Sequence, residues 1–142
     1  MKYFLTFCFI TYSYFFSFNA QEANFNLTIE ILGIKTNTGK VYLALYDNTN
    51  DFLKKKREFI GAKSEVKNGK SIVFFKNIKK GEYAASIFYD ENNNGKMDTK
   101  LFGVPKEPYG FSNNAKGFMG PPSFKEAKFT LASNKKIKIL LK

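Results

Sequence analysis

The feature that most constrains the fold of this chain is a series of short segments in which apolar and polar residues alternate with period two. In residues 25–34, one side of an extended chain would consist of Leu27, Ile29 and Ile31. Such alternation is typical of half-buried β-strands. Because no segment has an apolar stripe at helical spacing over about ten residues, the sequence predicts an all-β fold.

The same pattern predicts about seven strands along the chain. Their expected positions are Phe25–Ile34, Lys40–Asp47, Ala62–Lys67, Lys70–Lys76, Gly81–Tyr89, Phe124–Leu131 and Lys135–Lys142. About seven short strands in one domain favour an antiparallel β-sandwich with Greek-key or similar connections. The lysine-rich segment from Phe52 to Phe59 fits either a short helix or an exposed edge strand, and its class stays open.

Turn signals between these segments suggest which strands are neighbours. Asn37-Thr38-Gly39 is able to supply a positive backbone angle, so the first two strands are expected to form a hairpin. Asn68-Gly69 is the dipeptide most typical of a tight hairpin, here between the third and fourth strands. In that fourth strand Ile72 and Phe74 alternate with apolar neighbours, which predicts burial of both faces.

The N-terminus has the pattern of a secretory signal peptide. Lys2 is followed by an uncharged, mostly apolar run from Tyr3 to Phe18, and Ala20 marks the expected cleavage point. The run is too short and too interrupted by hydroxyl residues for a membrane-spanning helix, so no transmembrane segment is expected. We therefore expect a signal peptide at 1–20, a periplasmic or extracellular location, and a single β-sandwich domain at 21–142.

Composition excludes several classes of active site. The chain has no histidine, and its one cysteine, Cys8, lies in the predicted signal peptide. These absences remove Ser-His-Asp and Cys-His nucleophiles and nearly all zinc or copper sites from the mature chain. The sequence therefore favours a protein that is not an enzyme.

The formal net charge of +11 raises the question of an anionic partner. Arg57 is the single arginine among 23 basic residues, so the bidentate donors that recognise phosphate are nearly absent, and export also argues against nucleic acid. A lysine-rich face used against anionic polymers or glycans of the cell envelope is one hypothesis. Dispersed lysines that keep the surface soluble are the simpler interpretation.

The alternation stops in a long segment from Asp90 to Pro122. This segment contains all four prolines, yet it also carries Phe102, Tyr109 and Phe111. Aromatic residues are depleted in disordered chains. The sequence therefore predicts an ordered loop insertion packed on the sandwich.

The start of the insertion, DENNNGKMD, matches most of the pattern of a calcium-binding loop. A hard cation requires about six oxygen ligands, which a chain that folds back on itself supplies at alternate residues. The candidate metal ligands are Asp90, Asn92, Asn94, the Lys96 carbonyl and Asp98.

The match is incomplete, because Leu101 stands where the closing glutamate of an EF-hand would be and a strand precedes the loop. Further ligands would have to come from Glu91, Glu107 or water. We expect a structural Ca²⁺ site of weak affinity, with a dissociation constant on the order of 10⁻⁴ to 10⁻³ M. A metal-free turn built on Asn94-Gly95 is the open alternative, since the same residue types satisfy both.

Two longer motifs resemble a known family. They are GEYAASIFYDENNNGKMDTKLFGVPKEPYGFSNNA, Gly81 to Ala115, and PPSFKEAKFTL, Pro121 to Leu131. Both are similar to an exported bacterial family catalogued as domain of unknown function 2141, a resemblance that also extends to GKVYLALYD, Gly39 to Asp47. It implies a periplasmic or secreted protein with no assigned activity. The strand entry at Lys79 to Tyr83 is also similar to transthyretin-like sandwiches, so the expected fold is an immunoglobulin-like or transthyretin-like sandwich.

The segment GVPKEPYGFSNN, Gly103 to Asn114, has two interpretations. Tyr109 and Phe111 supply aromatic area, Glu107 a charge, and residues 112–114 hydrogen-bonding groups, a composition that suits a recognition surface for glycans or peptides. Alternatively, they anchor the insertion onto the sandwich and satisfy its backbone groups, which is the favoured interpretation. Together these observations predict a monomeric, exported binding or structural module whose partner is a glycan, a peptide or an envelope polymer.

Overall fold

Eight β-strands form in residues 23–142, the part of the chain that the computed structural model describes. They are β1 (Asn24–Leu32), β2 (Lys40–Tyr46), β3 (Ile60–Glu65), β4 (Ser71–Lys79), β5 (Gly81–Asp90), β6 (Tyr109–Phe111), β7 (Phe129–Leu131) and β8 (Lys135–Leu140). The all-β class is confirmed. The predicted signal peptide at residues 1–20 lies outside the described residues.

The strands build two sheets that face each other. The first sheet has the order β4-β1-β8, and the second has the order β3-β2-β5-β6, with β7 also paired to β5. The pairs are antiparallel except for β1 and β8, which run parallel with Leu27 opposite Lys135 and Leu32 opposite Leu140. The predicted sandwich is therefore confirmed, with one parallel pair.

The core lies between the inner faces of the two sheets, where the alternating apolar residues meet. Its fully buried aliphatic side chains are Leu27, Ile29, Ile31, Val41, Leu45, Leu131 and Ile139. Burial of a leucine or isoleucine side chain stabilises a fold by roughly 1.5–3 kcal/mol. Burial of these alternating apolar residues is thus the main source of stability, and the same alternation marks the strands in the sequence.

The expected hairpin between the first two strands is wrong. β1 pairs with β4 and β8, whereas β2 pairs with β3 and β5 in the other sheet. Residues 33–39 therefore cross from one sheet to the other. Both strands have one apolar face, and a sandwich buries these faces against each other across the core as effectively as a hairpin buries them side by side.

The turn at Asn68-Gly69 is confirmed locally, but it does not join two strands of one sheet. Asn68 and Gly69 have φ values of 52° and 71°, and the Lys67 and Lys70 amides each donate to the other residue's carbonyl. β3 and β4 then diverge into opposite sheets. Because β4 is an edge strand with one covered face, the expected burial of Ile72 and Phe74 is also wrong, and both side chains are about half exposed.

The predicted strand at Phe124–Leu131 is helical in its first half. Phe124–Ala127 form the short helix α1, and β7 begins at Phe129. Ser123 caps the helix, since its hydroxyl accepts from the Glu126 amide and the Glu126 carboxylate accepts from the Ser123 amide. This capping box is a local signal that overrides the alternation.

The open segment, Phe52 to Phe59, is neither helix nor strand. It is a turn with positive φ values at Leu53 and Lys56. Phe52 anchors this segment, because its ring packs edge-on against two other rings. The distance between ring centres is 5.3 Å to Tyr46 and 5.7 Å to Phe124. Within residues 23–142, no helix has the length and apolar character needed to cross a membrane.

Candidate functional site

The long insertion is ordered and lies against the second sheet. It begins where β5 ends, and it contains β6 and two 3₁₀ turns, Leu101–Gly103 and Ser112–Asn114. Phe111 is buried in a small apolar cluster with Tyr46, Ala84, Phe124 and Ala127. The prediction of an ordered loop insertion is therefore confirmed.

Asp90 organises the first loop of the insertion, Asp90–Asp98. It is the last residue of β5 and is fully buried. Its two carboxylate oxygens accept hydrogen bonds from the Asn94 amide at 3.1 Å and the Gly95 amide at 2.8 Å. The chain therefore folds back over the carboxylate, and Gly95 allows this with a φ of 80°.

Asn92 and Asn94 continue the same arrangement. The side-chain oxygen of Asn92 accepts from the Asn94 amide at 3.1 Å, and that of Asn94 accepts from the Lys96 amide at 3.0 Å. These local bonds are the turns that asparagine commonly forms with its own backbone. They turn the side-chain oxygens of both asparagines toward backbone amides of the loop itself.

Asp98 closes the loop from the other arm. Its Oδ2 accepts from the side-chain amides of Asn92 at 2.7 Å and Asn94 at 2.9 Å. These two hydrogen bonds, with the bond from Asn92 the stronger influence, hold the pKa of Asp98 below its ordinary value of 3.8. Asp98 is therefore a carboxylate at neutral pH, with its charge directed into the loop.

Glu107 joins the two arms of the loop. Its side chain is buried, and its carboxylate accepts from the Glu91 amide at 3.2 Å and the Asp98 amide at 3.0 Å. The Lys106 amide also donates to the Asp98 carbonyl at 2.8 Å. The sequence suggested Glu107 as an additional ligand, as a charge of a recognition surface or, in the favoured interpretation, as a residue that satisfies backbone groups. Its contacts with two backbone amides agree with the last of these.

The loop brings together the side chains of four of the five predicted metal ligands, Asp90, Asn92, Asn94 and Asp98. Across residues 23–142, no group of three or more His, Cys, Asp and Glu side chains is placed to hold a metal ion. A cation in this loop would therefore depend on amide and carbonyl oxygens as much as on carboxylates. Calcium accepts all of these ligands.

A row of side chains crosses the outer face of the second sheet beside this loop. Lys63, Tyr42, Phe88 and Tyr109 occupy neighbouring positions on β3, β2, β5 and β6. The rings of Tyr42 and Phe88 stack at 4.9 Å, and the Lys63 ammonium lies 4.8 Å from the centre of the Tyr42 ring. This contact is a cation–π interaction on one end of an aromatic row.

A groove of about 720 Å³ lies over this row. Lys54, Lys55 and Lys56 line one side, and Gly95, Lys96 and Met97 of the Asp90–Asp98 loop line the other. We call it the basic groove. Because Gly95 lies close to the Tyr42 hydroxyl, the conformation of the loop determines the shape of this groove.

A second groove of about 620 Å³ continues from the basic groove and shares Ser86, Phe88 and Met97 with it. We call it the apolar groove. Its further lining residues include Leu53, Phe102, Val104, Pro105, Tyr109, Phe111, Met119 and Pro121. The outer face of the second sheet thus has a cationic half and an apolar half.

The segment Gly103–Asn114 is held to the sandwich by its polar side chains. The buried Ser112 hydroxyl donates to the Ala127 carbonyl at 2.5 Å and accepts from the Ala85 amide at 2.9 Å. The Asn113 amide donates to the Lys128 carbonyl at 2.7 Å, and the Asn114 oxygen accepts from the Leu140 amide at 2.9 Å. These contacts support the interpretation that the segment anchors the insertion.

Among known proteins, the chain has one family match and two weak structural matches. No curated protein matches the chain in sequence. Two solved structures of a pilus-presented adhesin, Spy0125 (Cpa), one of them a variant, resemble the chain at 14% identity with TM-scores of 0.26 and 0.25. The matches cover 84% and 83% of this chain and 27% of the adhesin chain in both cases.

The family comparison covers most of the sandwich. A family model matches residues 29–139, from within β1 to within β8, and includes the whole insertion with both grooves. The resemblance inferred from the motifs at 81–115 and 121–131 is thereby confirmed. This chain belongs to the family described as uncharacterized protein conserved in bacteria, DUF2141.

Proposed function

We propose that this chain is an exported, non-enzymatic binding module whose basic groove holds an acidic glycan polymer of the cell envelope. The observation that carries the proposal is the pairing of an aromatic row with lysines on both sides of one groove. The volume of about 720 Å³ is within the range of ligand-binding clefts, roughly 300–1,000 Å³.

The chemistry of the groove matches that of an acidic sugar polymer. Tyr42 and Phe88 are half-buried and line the groove, so their stacked rings offer apolar contact area to the carbon–hydrogen groups of a sugar. Lysine ammonium groups on long stems are point charges that adapt to carboxylates or phosphates at varied spacing. A polymer bound here would be recognised by its charge and its rings.

The absence of histidine from the sequence, with Cys8 confined to the predicted signal peptide, supports binding without catalysis. Histidine is the most common general base, and it activates many serine and cysteine nucleophiles. The buried carboxylates of the insertion, Asp90 and Glu107, are bound by backbone amides. Their contacts therefore fit a structural role better than proton transfer.

Substituting Lys54, Lys55 and Lys56 by glutamine is expected to weaken binding of polygalacturonate by about tenfold. Each exposed charge contact contributes roughly 0.2–1 kcal/mol, and about 1.4 kcal/mol corresponds to a factor of ten. Titration calorimetry at low ionic strength would measure the change. Binding is also expected to weaken as salt is added.

The matched control replaces Lys80, Lys125 and Lys138 by glutamine. These lysines are exposed and line neither the basic nor the apolar groove. The control changes the net charge by the same amount, so we expect it to retain most of the affinity. An equal loss in both variants would show that net charge, and not the groove, is responsible.

We also propose that the Asp90–Asp98 loop binds a calcium-like cation that stabilises the wall of the groove. The supporting observation is that one short loop gathers the side-chain oxygens of Asp90, Asn92 and Asn94, and holds the Asp98 carboxylate against the side-chain amides of Asn92 and Asn94. A cation would draw the two amide oxygens toward itself and neutralise both aspartates, with the Lys96 carbonyl as a further ligand.

Calcium at about 10 mM is expected to raise the melting temperature by roughly 5 °C relative to excess chelator. For a dissociation constant of about 1 mM, mass action predicts a gain of about 1.4 kcal/mol. In a domain of this size that gain corresponds to a few degrees in melting temperature. Asp98→Asn is expected to abolish the shift.

Asp47→Asn is the control, because Asp47 is exposed and lies outside the loop. This variant is expected to keep the full calcium-dependent shift. An unchanged melting temperature of the wild-type chain at millimolar calcium would instead support the metal-free turn.

A further inference from the structure

Four large apolar side chains project from the insertion into solvent. Leu101 and Phe102 are 83% and 102% exposed, and Phe118 and Met119 are 93% and 94% exposed. We call these four residues the apolar tips. They belong to two short segments of the same insertion, separated by the buried strand β6.

Both segments of the tips border the apolar groove. Phe102 of the first segment and Met119 of the second line this groove, although the two residues are distant in sequence. Single exposed apolar residues are common on protein surfaces, but several of them around one groove are characteristic of an interaction site. The tips therefore add exposed apolar area at the edge of the apolar groove.

The backbone of the tips shows that internal packing does not explain them. Phe102 and Met119 have φ values of 63° and 55°, in the left-handed region that bulky residues rarely adopt. Their side chains are almost completely exposed. A glycine or asparagine would be easier to accommodate in both places, so the apolar side chains add nothing evident to folding.

Basic residues accompany both segments of the tips. Lys100 precedes the first segment, and Lys116 precedes the second; both are exposed. The basic groove, with Lys54, Lys55 and Lys56, adjoins the apolar groove through shared lining residues. The acids of the insertion that are not buried are the exposed Glu91 and the half-buried Asp98, and Asp98 is held by two side-chain amides.

We infer that the apolar tips dock this chain onto an anionic lipid surface. Their side chains would enter the boundary between headgroups and acyl chains, while the neighbouring lysines contact lipid phosphates. This combination of apolar area and basic charge is characteristic of peripheral, reversible membrane binding. The tips themselves lie outside the basic groove, although its lysines would add positive charge near the membrane, and the inference does not require the proposed glycan binding.

The first test measures co-sedimentation with vesicles of phosphatidylcholine containing roughly one-third phosphatidylglycerol. A variant with serine at Leu101, Phe102, Phe118 and Met119 is expected to lose about tenfold or more in partitioning. Because these side chains are exposed, its melting temperature is expected to match that of the wild type. Vesicles of phosphatidylcholine alone are expected to bind the wild type more weakly.

The matched control is the double variant Ile72→Ser, Phe74→Ser. These residues are also exposed and apolar, but they lie on β4 in the opposite sheet. We expect this variant to bind anionic vesicles as the wild type does. An equal loss in both variants would contradict a specific role of the tips.

The second test uses the absence of tryptophan from the sequence. Phe102→Trp introduces a single indole at a tip, and its emission is expected to shift to shorter wavelength and to be quenched by brominated lipids. The indole of Phe74→Trp is expected to show neither change, because it remains in water when the tips are bound.

Three outcomes would overturn the inference. The first is a lack of vesicle binding at low ionic strength. The second is unchanged binding by the serine variant, which would assign attachment to the lysines alone. The third is a concentration-dependent dimer that the serine variant abolishes while vesicles are not bound, which would make a second copy of the chain the partner of the tips.

Discussion

Gly39→Ala is expected to destabilise the fold by about 4 kcal/mol or more, enough to unfold many domains of this size. A Cβ atom at this position would lie 2.4 Å from the Asp90 carbonyl oxygen and 2.9 Å from the Tyr89 ring. The first contact is with backbone and cannot be relieved by a change of rotamer. Gly39 also has a φ of 76°, which an alanine adopts only with strain.

The clash caused by Gly39→Ala would also disturb the candidate site. Lys40 pairs with Asp90 where β2 and β5 meet, so the clash would separate the central strands of the second sheet at the start of the loop. Urea denaturation followed by circular dichroism would measure the loss of unfolding free energy.

Two further glycines are controls for the Gly39 prediction. Gly120→Ala is expected to change stability by less than about 0.5 kcal/mol, because a Cβ there would meet no atom within 4 Å. Gly95→Ala is expected to cost about 1–2 kcal/mol, since its φ of 80° is strained for alanine although the nearest contact, 3.6 Å, is an ordinary one. Wild-type stability of Gly39→Ala would contradict the described pairing of β2 with β5.

Glu107→Ala is expected to lower the free energy of unfolding by about 3 kcal/mol. The substitution removes the acceptor of two backbone amides, those of Glu91 and Asp98, and each part-buried donor left without a partner costs roughly 1–3 kcal/mol. Glu107→Gln retains one side-chain oxygen and is expected to cost less. Urea denaturation would give the size of the loss.

Hydrogen exchange distinguishes this effect from general destabilisation. The amides of Glu91 and Asp98 are expected to exchange faster in Glu107→Ala, whereas the amides of β1 should change only with global stability. Glu65→Ala is the control, because its side chain is 71% exposed and its ion pair with Lys40 is 3.8 Å long. Such a pair contributes less than about 1 kcal/mol. Unchanged exchange at Glu91 and Asp98 would contradict the role of Glu107.

Loosening the loop would also affect both proposed binding functions. Gly95, Lys96 and Met97 line the basic groove, and the aspartates of the same loop are the candidate cation ligands. Glu107→Ala is therefore expected to weaken glycan binding and to reduce the calcium-dependent shift together. The positions of Phe118 and Met119 are expected to change less, because Ser112 and Asn113 anchor the later part of the insertion independently.

Local sequence patterns predicted the structure correctly where the interactions that determine it join residues close in sequence. The alternation of Leu27, Ile29 and Ile31 predicts a strand with one buried face, and all three side chains are fully buried. The asparagine turns of the Asp90–Asp98 loop are local in the same sense. Their hydrogen bonds join residues two to five positions apart, so the alternate spacing alone predicted a folded-back loop.

The same patterns predicted the wrong structure where contacts between residues distant in sequence, or a second local signal, determined it. Ile72 and Phe74 are as apolar as their neighbours, but the position of β4 at a sheet edge leaves them half exposed. The capping box from Ser123 to Glu126 formed a turn of helix within a segment that alternates like a strand.

The sequence by itself determined most of the segments that become strands, where the insertion starts, and that its first loop folds back through Asp90, Asn92 and Asn94. Only the tertiary structure decided that β1 lies beside β4 and β8, that Glu107 joins the arms of the loop, and that the lysines at 54–56 face the loop across a groove. The physical reason is that alternation specifies which face of a strand is buried but not which strand lies beside it. The neighbour is selected by the packing of the whole core.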